Sequence, residues 1–251
     1  MNIPHYTIVS LITGNYEKVH EVKKKSPSAD YVLVTDNPEL KSSTWDIVYD
    51  TELSGGTFDR VHNIKWNPWR YCGDDIVLMI DGSMQVNESL DEIIEMFDRG
   101  NYELSMTIHP YRNTIQEELK AWITQRNYDL DSARRQIEMM ENTGYDTLNY
   151  RGLYQGCFKL MRRTRKVEDW LRLMPGLLKA TGRDGNDNRV EQTLASFALN
   201  KWFSDINAMW VSQKILHSRW ITWYHHNTNI PIPLERMIEP YAFNKPIKVL
   251  I

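Results

Sequence analysis

The stretch Gly73-Asp74-Asp75-Ile76-Val77-Leu78-Met79-Ile80-Asp81-Gly82-Ser83-Met84-Gln85-Val86 decides the fold of this chain. Its apolar centre, 76–80, is too short for an independent helix and predicts a strand buried on both faces. The strand ends at Asp81-Gly82-Ser83, which presents a carboxylate, a flexible glycine and a hydroxyl together. Open α/β sheets build ligand sites at the carboxyl ends of their strands, so this end is a candidate site. A strand followed by a plain Asp-Gly turn is the alternative.

Composition indicates an ordinary globular chain. Its 251 residues allow one large α/β domain or two small ones. The 41% apolar and 25% charged residues are typical of soluble proteins, and a net charge of −3 gives no general attraction to nucleic acid or anionic membranes. The nine Trp and thirteen Tyr residues are numerous enough for surfaces that stack on sugars or bases, although most large aromatics fill cores.

Two further features concern the compartment. Cys72 and Cys157 lie far apart in no metal-ligand spacing, which predicts buried thiols of a reducing compartment. The first five residues lack the regions of a signal peptide, and no run approaches the roughly 18 apolar residues of a membrane span. We therefore expect a cytoplasmic protein with no membrane insertion.

Hydrophobic periodicity predicts alternating strands and helices. Strands are expected at 6–13, 31–36, 45–49, 104–108 and 157–161. Helices are expected at 16–25, 89–99, 167–180 and 190–199, with two more within 114–140, and Pro175 should end or kink one of them. Strand–helix–strand order predicts a mostly parallel sheet covered by helices. No GxGxxG follows the first strand, so the dinucleotide-binding fingerprint is absent.

Three stretches carry clustered basic or aromatic residues. The segment 58–71, with Lys65 among its cations, could supply charge to a diphosphate or form a solvated helix face. The run 162–166 is the only concentrated basic patch, and a solvated helix start is favoured over contact with a phosphate backbone. The aromatic segment 220–226 could stack on a sugar ring or a base.

The order of these motifs resembles that of GT-A glycosyltransferases, most closely the glycogenin-like group and an adjoining glycosyltransferase-like family of formerly unknown function. The resemblance covers about residues 6–226 and depends on the order of short motifs. These motifs are the strand end Thr35-Asp36, Trp45, the strand end Asp81-Gly82-Ser83, His109-Pro110-Xaa-Arg112, Glu117-Glu118 and Glu191-Gln192.

The resemblance implies an α/β fold of GT-A type, Rossmann-like, with a mostly parallel central sheet and helices on both faces. It implies a single domain over 1–251, with a nucleotide-binding half at about 1–100 and an acceptor-side half at about 101–251. The implied activity is that of a hexosyltransferase. It would move a sugar from a nucleoside diphosphate sugar, with a UDP-sugar as the expected donor, to a glycan, protein or nucleic acid acceptor.

The resemblance also implies a divalent cation, Mn²⁺ or Mg²⁺, which would stabilise the departing diphosphate. Asp81 is the best candidate ligand. Ser83 stands where the family has a second carboxylate, and a hydroxyl is a much poorer ligand. His225 or His226 would complete the metal site, with surface or interface packing as the alternative for adjacent histidines.

Further roles follow from the resemblance. The nucleoside would be held by Ser10, Leu11, Thr13 and Asp36, with Lys65 at the diphosphate. Glu191 and Gln192 would lie beside the anomeric carbon or acceptor, with Glu191 as a base or as an electrostatic stabiliser. The donor sugar or acceptor would be faced by His109, Arg112 and Asp187, although a His-Pro turn can equally be a structural corner.

Two other interpretations stay open. A catalytically silent nucleotide-sugar- or glycan-binding module is motivated by Ser83 at the place of a carboxylate. A DNA-base-modifying glycosyltransferase of a phage-like system is motivated only by the basic run 162–166. The sequence does not decide the sugar, the acceptor, or retention or inversion at the anomeric carbon.

Overall fold

The computed structural model describes residues 3–126, 128–181, 191–226 and 228–236, which form nine strands and seven α-helices. The strands are β1 (Tyr6–Ile12), β2 (Ala29–Thr35), β3 (Asp46–Tyr49), β4 (Ile76–Ile80), β5 (Met84–Val86), β6 (Leu104–Ile108), β7 (Tyr154–Arg162), β8 (Ala208–Val211) and β9 (Ile221–Trp223). The helices are α1 (Thr57–Lys65), α2 (Asp91–Arg99), α3 (Ile115–Arg126), α4 (Leu130–Glu141), α5 (Arg165–Thr181), α6 (Glu191–Lys201) and α7 (Gln213–Arg219).

A seven-stranded sheet with the order β3-β2-β1-β4-β7-β6-β8 forms the centre of the molecule. All its strands run in one direction except β7, which pairs antiparallel with both β4 and β6. The predicted α/β fold with a mostly parallel sheet is therefore confirmed. A separate antiparallel pair joins β5 to β9.

Two apolar cores lie on opposite faces of this sheet. The alternation of β4 shows the division, because Val77 and Met79 enter one core while Ile76, Leu78 and Ile80 enter the other. The first core is covered by α1, α3, α4, α5 and α6, and the second by α2, α7 and the β5–β9 pair. Helices therefore cover both faces, and burial of both faces explains why the strand sequence is continuously apolar.

The predicted helix at 16–25 is wrong, since this connection has irregular backbone. Its polar groups bond to distant segments instead of to the preceding turn. The N–H of Lys23 donates to the carbonyl of Val86 (2.9 Å), and the carboxylate of Glu21 accepts from the N–H of Thr44 (3.1 Å). These tertiary hydrogen bonds override a weak helical propensity.

The other predicted elements occur with shifted ends. The two helices expected within 114–140 are α3 and α4, and Asp129 caps α4 by accepting from the N–H of Ser132 (2.8 Å). Of the two effects predicted for Pro175, the end of the helix is wrong, since α5 continues past it to Thr181. Leu177 and Leu178, which follow the proline, are buried in the first core, and this packing favours continuation of the helix.

Most large aromatic side chains fill the cores, as expected. Trp220 and Trp223 are 5% and 3% exposed, so the predicted sugar- or base-stacking role is wrong for these two residues. Cys72 and Cys157 are free thiols, half-buried and buried respectively. Within the described part of the chain, no helix is long and apolar enough to cross a membrane.

Candidate functional site

The candidate site lies where β1 and β4 end, because parallel neighbours bring their carboxyl ends to the same edge of the sheet. Asp81 directly follows β4, and its N–H donates to the carbonyl of Cys157 on β7 (3.0 Å). Lys65 arrives as the last residue of α1, and Glu191 as the first residue of α6. Four separate elements therefore deliver polar groups to one edge.

Lys65 joins the two carboxylates of this edge. Its Nζ lies 2.8 Å from Oδ1 of Asp81 and 2.8 Å from Oε1 of Glu191. Lys65 and Glu191 are buried, whereas the side chain of Asp81 is 25% exposed. The three residues form a carboxylate–ammonium–carboxylate bridge that is closed on the protein side and open to solvent at Asp81.

Within this bridge, Lys65 and Glu191 hold each other ionised. Burial by itself lowers the pKa of Lys65, but Asp81 and then Glu191 overcome this effect and raise that pKa above its ordinary value. Burial would raise the pKa of Glu191, yet Lys65 above all, with Lys159 and His62, lowers that pKa to about 2. Glu191 is therefore a carboxylate at neutral pH.

A second layer of basic side chains, Lys159 and His62, lies behind the bridge. The ammonium of Lys159, fully buried on β7, donates to the carbonyl of Lys65 (3.4 Å) and lies 3.8 Å from the ring centroid of Trp66. Burial lowers the pKa of Lys159 to about 8, with Glu191 opposing this change. Nε2 of His62 lies 3.6 Å from Oε2 of Glu191, and burial lowers the pKa of this histidine as well.

Two glycines allow the close packing at this edge. A Cβ on Gly82 would lie 2.4 Å from the carbonyl oxygen of Leu11 and 3.1 Å from the hydroxyl of Tyr16. A Cβ on Gly156 would lie 3.0 Å from Oε1 of Glu191. Gly82, expected as a flexible residue, therefore serves mainly as the contact point between the ends of β4 and β1.

Asp36 closes the loop after β1 against the start of α1. Its carboxylate accepts from the N–H of Gly14 (2.9 Å) and forms an ion pair with Arg60. The backbone of Gly14 has φ +60°, a conformation that favours glycine. The predicted nucleoside ligand Asp36 thus orders the loop that surrounds the end of β1.

The other predicted nucleoside residues lie inside or at the end of β1. Ser10 and Leu11 are buried in the strand, and the carbonyl of Leu11 accepts from the hydroxyl of Tyr16 (3.2 Å). Thr13 follows the strand and is fully buried, and its hydroxyl has no hydrogen-bond partner among the residues that the structure describes. Because a buried unpartnered hydroxyl is costly, Thr13 is the residue of this group most in need of a ligand or water.

A second polar cluster surrounds Glu118, whose carboxylate is fully buried at the start of α3. It accepts from the guanidinium of Arg112, the amide of Gln192 and the indole N–H of Trp122. Nε2 of His109 lies 3.5 Å from the same carboxylate. Gln192 therefore contacts this Glu118 cluster, whereas the adjacent Glu191 contacts Lys65.

His109 has the contacts of a structural corner. It is 2% exposed, and its Nδ1 accepts from the backbone N–H groups of Arg112 (3.0 Å) and Tyr111 (3.2 Å). Burial, assisted by the charge of Arg112, lowers the pKa of His109 to about 3, so its imidazole is neutral. Of the two roles that the sequence left open for His109, these contacts favour the structural one. The neighbouring Glu117 also has a structural role, since it accepts from backbone N–H groups that precede α3.

Of the predicted metal ligands beyond Asp81, Ser83 is buried and the two histidines are exposed. Ser83 is buried, and its carbonyl accepts from the N–H of Tyr224 (2.9 Å). His225 and His226 are exposed, and Nδ1 of His226 lies 3.2 Å from Oε2 of the buried Glu17. Asp187, predicted at the donor sugar or acceptor, lies outside the described residues.

The residues around Asp81 do not fit a divalent cation. Mg²⁺ and Mn²⁺ prefer several oxygen ligands, but Oδ1 of Asp81 is already paired with the ammonium of Lys65. Across the described ranges, the only cluster of three or more His, Cys, Asp or Glu side chains close enough to share an ion is His5, Asp30 and Asp74. That cluster lies at the amino-terminal ends of β1, β2 and β4, at the opposite edge of the sheet, with His5 before β1, Asp30 at the start of β2 and Asp74 before β4.

The basic run 162–166 is neutralised by neighbouring carboxylates. The ion pairs are Arg162–Asp98 (2.8 Å), Arg163–Glu168 (3.0 Å), Arg165–Asp169 (3.6 Å) and Lys166–Asp205 (2.9 Å). These contacts support the interpretation as a solvated helix start. They leave little unpaired charge for a phosphate backbone.

Sequence reasoning missed three groups that contact the site. The sequence does indicate a special role for Lys159. It lies inside the apolar run 157–161, which predicts a buried position, and lysine is rarely buried without a partner. His62 lies within the basic stretch 58–71, and Tyr16 lies within the predicted helix 16–25, which does not form. Neither residue has a local signal for its contacts.

Comparison with known proteins does not assign a family. No protein-family model matches the chain, and no curated protein matches it significantly. The resemblance to GT-A glycosyltransferases thus stays a prediction.

Proposed function

We propose that the chain is a GT-A-type glycosyltransferase that moves a sugar from a nucleoside diphosphate sugar, with UDP as the expected nucleotide, to an acceptor. The observation that carries this proposal is the Asp81–Lys65–Glu191 bridge at the carboxyl edge of a mostly parallel sheet. Such edges are where open α/β folds bind nucleotides and related ligands.

The charges of the bridge suit the two halves of a glycosyl transfer. A departing diphosphate accumulates negative charge, which the ammonium of Lys65 can stabilise. The anomeric carbon accumulates positive charge, which the carboxylate of Glu191 can stabilise. Since the pKa of Glu191 is about 2, this carboxylate is a weak base near pH 7, and we infer electrostatic stabilisation as its role.

The nucleoside would bind beside the end of β1. The unpartnered hydroxyl of Thr13 offers a hydrogen bond there, and Asp36 fixes the adjoining loop through Gly14. Gln192 and Arg112, joined through Glu118, would set the position of α6 relative to the donor.

A second candidate function is a nucleotide-sugar- or glycan-binding module without turnover. The observation that favours it is the pairing of Asp81 and Glu191 with the same ammonium, which leaves neither carboxylate without an ion-pair partner. The DNA-base-modifying alternative loses its motivation, because the basic run 162–166 is ion-paired.

A panel of nucleoside diphosphate sugars separates the two candidates. A donor that binds the native state raises the melting temperature, and nucleotide release measured on the same donor reports hydrolysis or transfer. A transferase gives both signals, and Glu191→Gln reduces release while the donor still raises the melting temperature. Glu138→Gln, an exposed carboxylate on α4, is the matched control and keeps both signals. Stabilisation without release identifies the binding module, and no stabilisation by any donor contradicts both.

A further inference from the structure

Lys65 is positioned as a fixed cation of the candidate site. Its side chain is 9% exposed, and it belongs to the last turn of α1. The ammonium has three N–H donors, of which Asp81 and Glu191 each take one. Counted over the described residues, one donor is left for an incoming oxygen atom.

We propose that the ammonium of Lys65 takes the place of the divalent cation, so that the site binds and cleaves a nucleoside diphosphate sugar without metal. This inference rests on the proposed function, and it departs from the metal dependence that the sequence resemblance implies.

The ligand set supports this assignment. A cation bound at Oδ1 of Asp81 would have to displace Lys65, and the displaced ammonium would keep only one of its two carboxylate partners in this buried position. The second lysine, Lys159, lies directly behind and adds repulsion to any further cation. Ser83 provides no carboxylate, and His226 is directed at Glu17.

The transfer step balances without a metal. The bond between the anomeric carbon and the diphosphate oxygen breaks, and its electron pair stays on that oxygen, which accepts a hydrogen bond from Lys65. The acceptor oxygen bonds to the anomeric carbon and loses its proton to water. Glu191 stays ionised throughout and faces the developing positive charge, while Asp81 holds Lys65 in place.

The first experiment measures metal alone. Thermal unfolding of the full chain is recorded in EDTA, in Mg²⁺ and in Mn²⁺, without nucleotide. We expect equal melting temperatures in the three conditions. An increase with Mn²⁺ that Asp81→Asn abolishes would overturn the proposal.

The second experiment measures donor turnover in EDTA and in Mn²⁺. We expect rates within about twofold of each other, whereas a site that uses a metal to stabilise the diphosphate would lose about 100-fold or more in EDTA. If no donor binds under any condition, the proposed function fails. The metal-alone measurement then still decides whether Lys65 excludes a cation.

Removal of Lys65 gives the sharpest test. Lys65→Ala leaves Asp81 and Glu191 facing the same vacated position, since both lay 2.8 Å from one nitrogen atom. We expect this variant to lose turnover in EDTA and to gain both a Mn²⁺-dependent rise in melting temperature and partial recovery of turnover in Mn²⁺. The double variant Lys65→Ala/Asp81→Asn lacks the second carboxylate and should show neither gain.

Unchanged turnover of Lys65→Ala in EDTA would contradict the proposal. If the variant does not fold, the two experiments on the unmodified chain decide.

Discussion

Glu191 and Gln192 are adjacent at the start of α6, yet their side chains enter different buried clusters. Glu191 accepts from Lys65 at 2.8 Å, whereas Gln192 donates to Glu118, which also accepts from Arg112. One helix start therefore fixes the charged bridge and the Glu118 cluster relative to each other. A substitution of Glu191 should therefore affect only the charged bridge, and a substitution of Gln192 should affect only the Glu118 cluster.

Glu191→Gln should act on turnover. In the proposed reaction, the substitution removes the negative charge assigned to the anomeric carbon but keeps the shape of the side chain. We expect turnover to fall by about 100-fold while donor affinity stays within a few-fold, because the lost interaction strengthens in the transition state. Steady-state rates and calorimetric donor titration measure the two quantities. A loss of affinity with unchanged maximal rate would move Glu191 out of the catalytic role.

Gln192→Ala should act on stability. It removes a donor from the fully buried carboxylate of Glu118, which should cost about 1–3 kcal/mol in the free energy of unfolding. Urea denaturation measures this quantity. Gln125→Ala, at an exposed position of α3, is the matched control and should stay within about 0.5 kcal/mol of the unmodified chain. Equal effects of the two variants would show that the amide of Gln192 contributes nothing to Glu118.

His109 should make stability fall as pH decreases. Its pKa is about 3 in the native state, against about 6.5 for an ordinary histidine. Between these values the unfolded chain binds a proton that the native chain does not, so stability is lost as pH falls through this window. The loss approaches about 1.4 kcal/mol per pH unit from this group. His109→Gln should show a shallower slope of unfolding free energy between pH 6 and pH 4.5, and parallel slopes would contradict the assignment.

Gly82→Ala should disrupt the contact between β4 and β1. The added methyl group would lie 2.4 Å from a backbone oxygen of Leu11, which cannot move away easily. We expect a loss of about 1–3 kcal/mol in the free energy of unfolding, as for overpacked cores, together with weaker donor binding. Gly176→Ala is the control, because outside its own helix backbone and chain neighbours no described atom lies within 4 Å of its Cβ position in α5. There the loss of glycine should stabilise the helix by about 0.5–1 kcal/mol.

The sequence predicts well what depends on local pattern. The buried strand 76–80 was recognisable because five consecutive apolar residues leave few alternatives, and Asp81 had to follow it. The two helices within 114–140 were recognisable from their amphipathic period. The helix predicted at 16–25 is wrong because Glu21 accepts hydrogen bonds from residues 42–44. Hydrophobic periodicity within 16–25 carries no information about such contacts.

The site itself was only partly predictable. Asp81, Lys65 and Glu191 were all named from the resemblance, but as ligands of a metal, a diphosphate and an anomeric carbon separately. Their mutual contact joins residues as much as 126 positions apart, and no local signal reports such a pairing. Burial of Lys159 is equally a property of the assembled sheet.

The antiparallel strand β7 has a consequence for the order in which the chain assembles. β4 pairs with β1 on one side and with β7 on the other, and β7 ends at Arg162. Until the ribosome has made this strand, the nascent chain carries β4 as an open sheet edge with unpaired backbone groups. The free N–H and C=O groups of such an edge can form hydrogen bonds with strands of other chains. Ribosome-bound intermediates shorter than about 160 residues should therefore be the aggregation-prone species in the biogenesis of this protein.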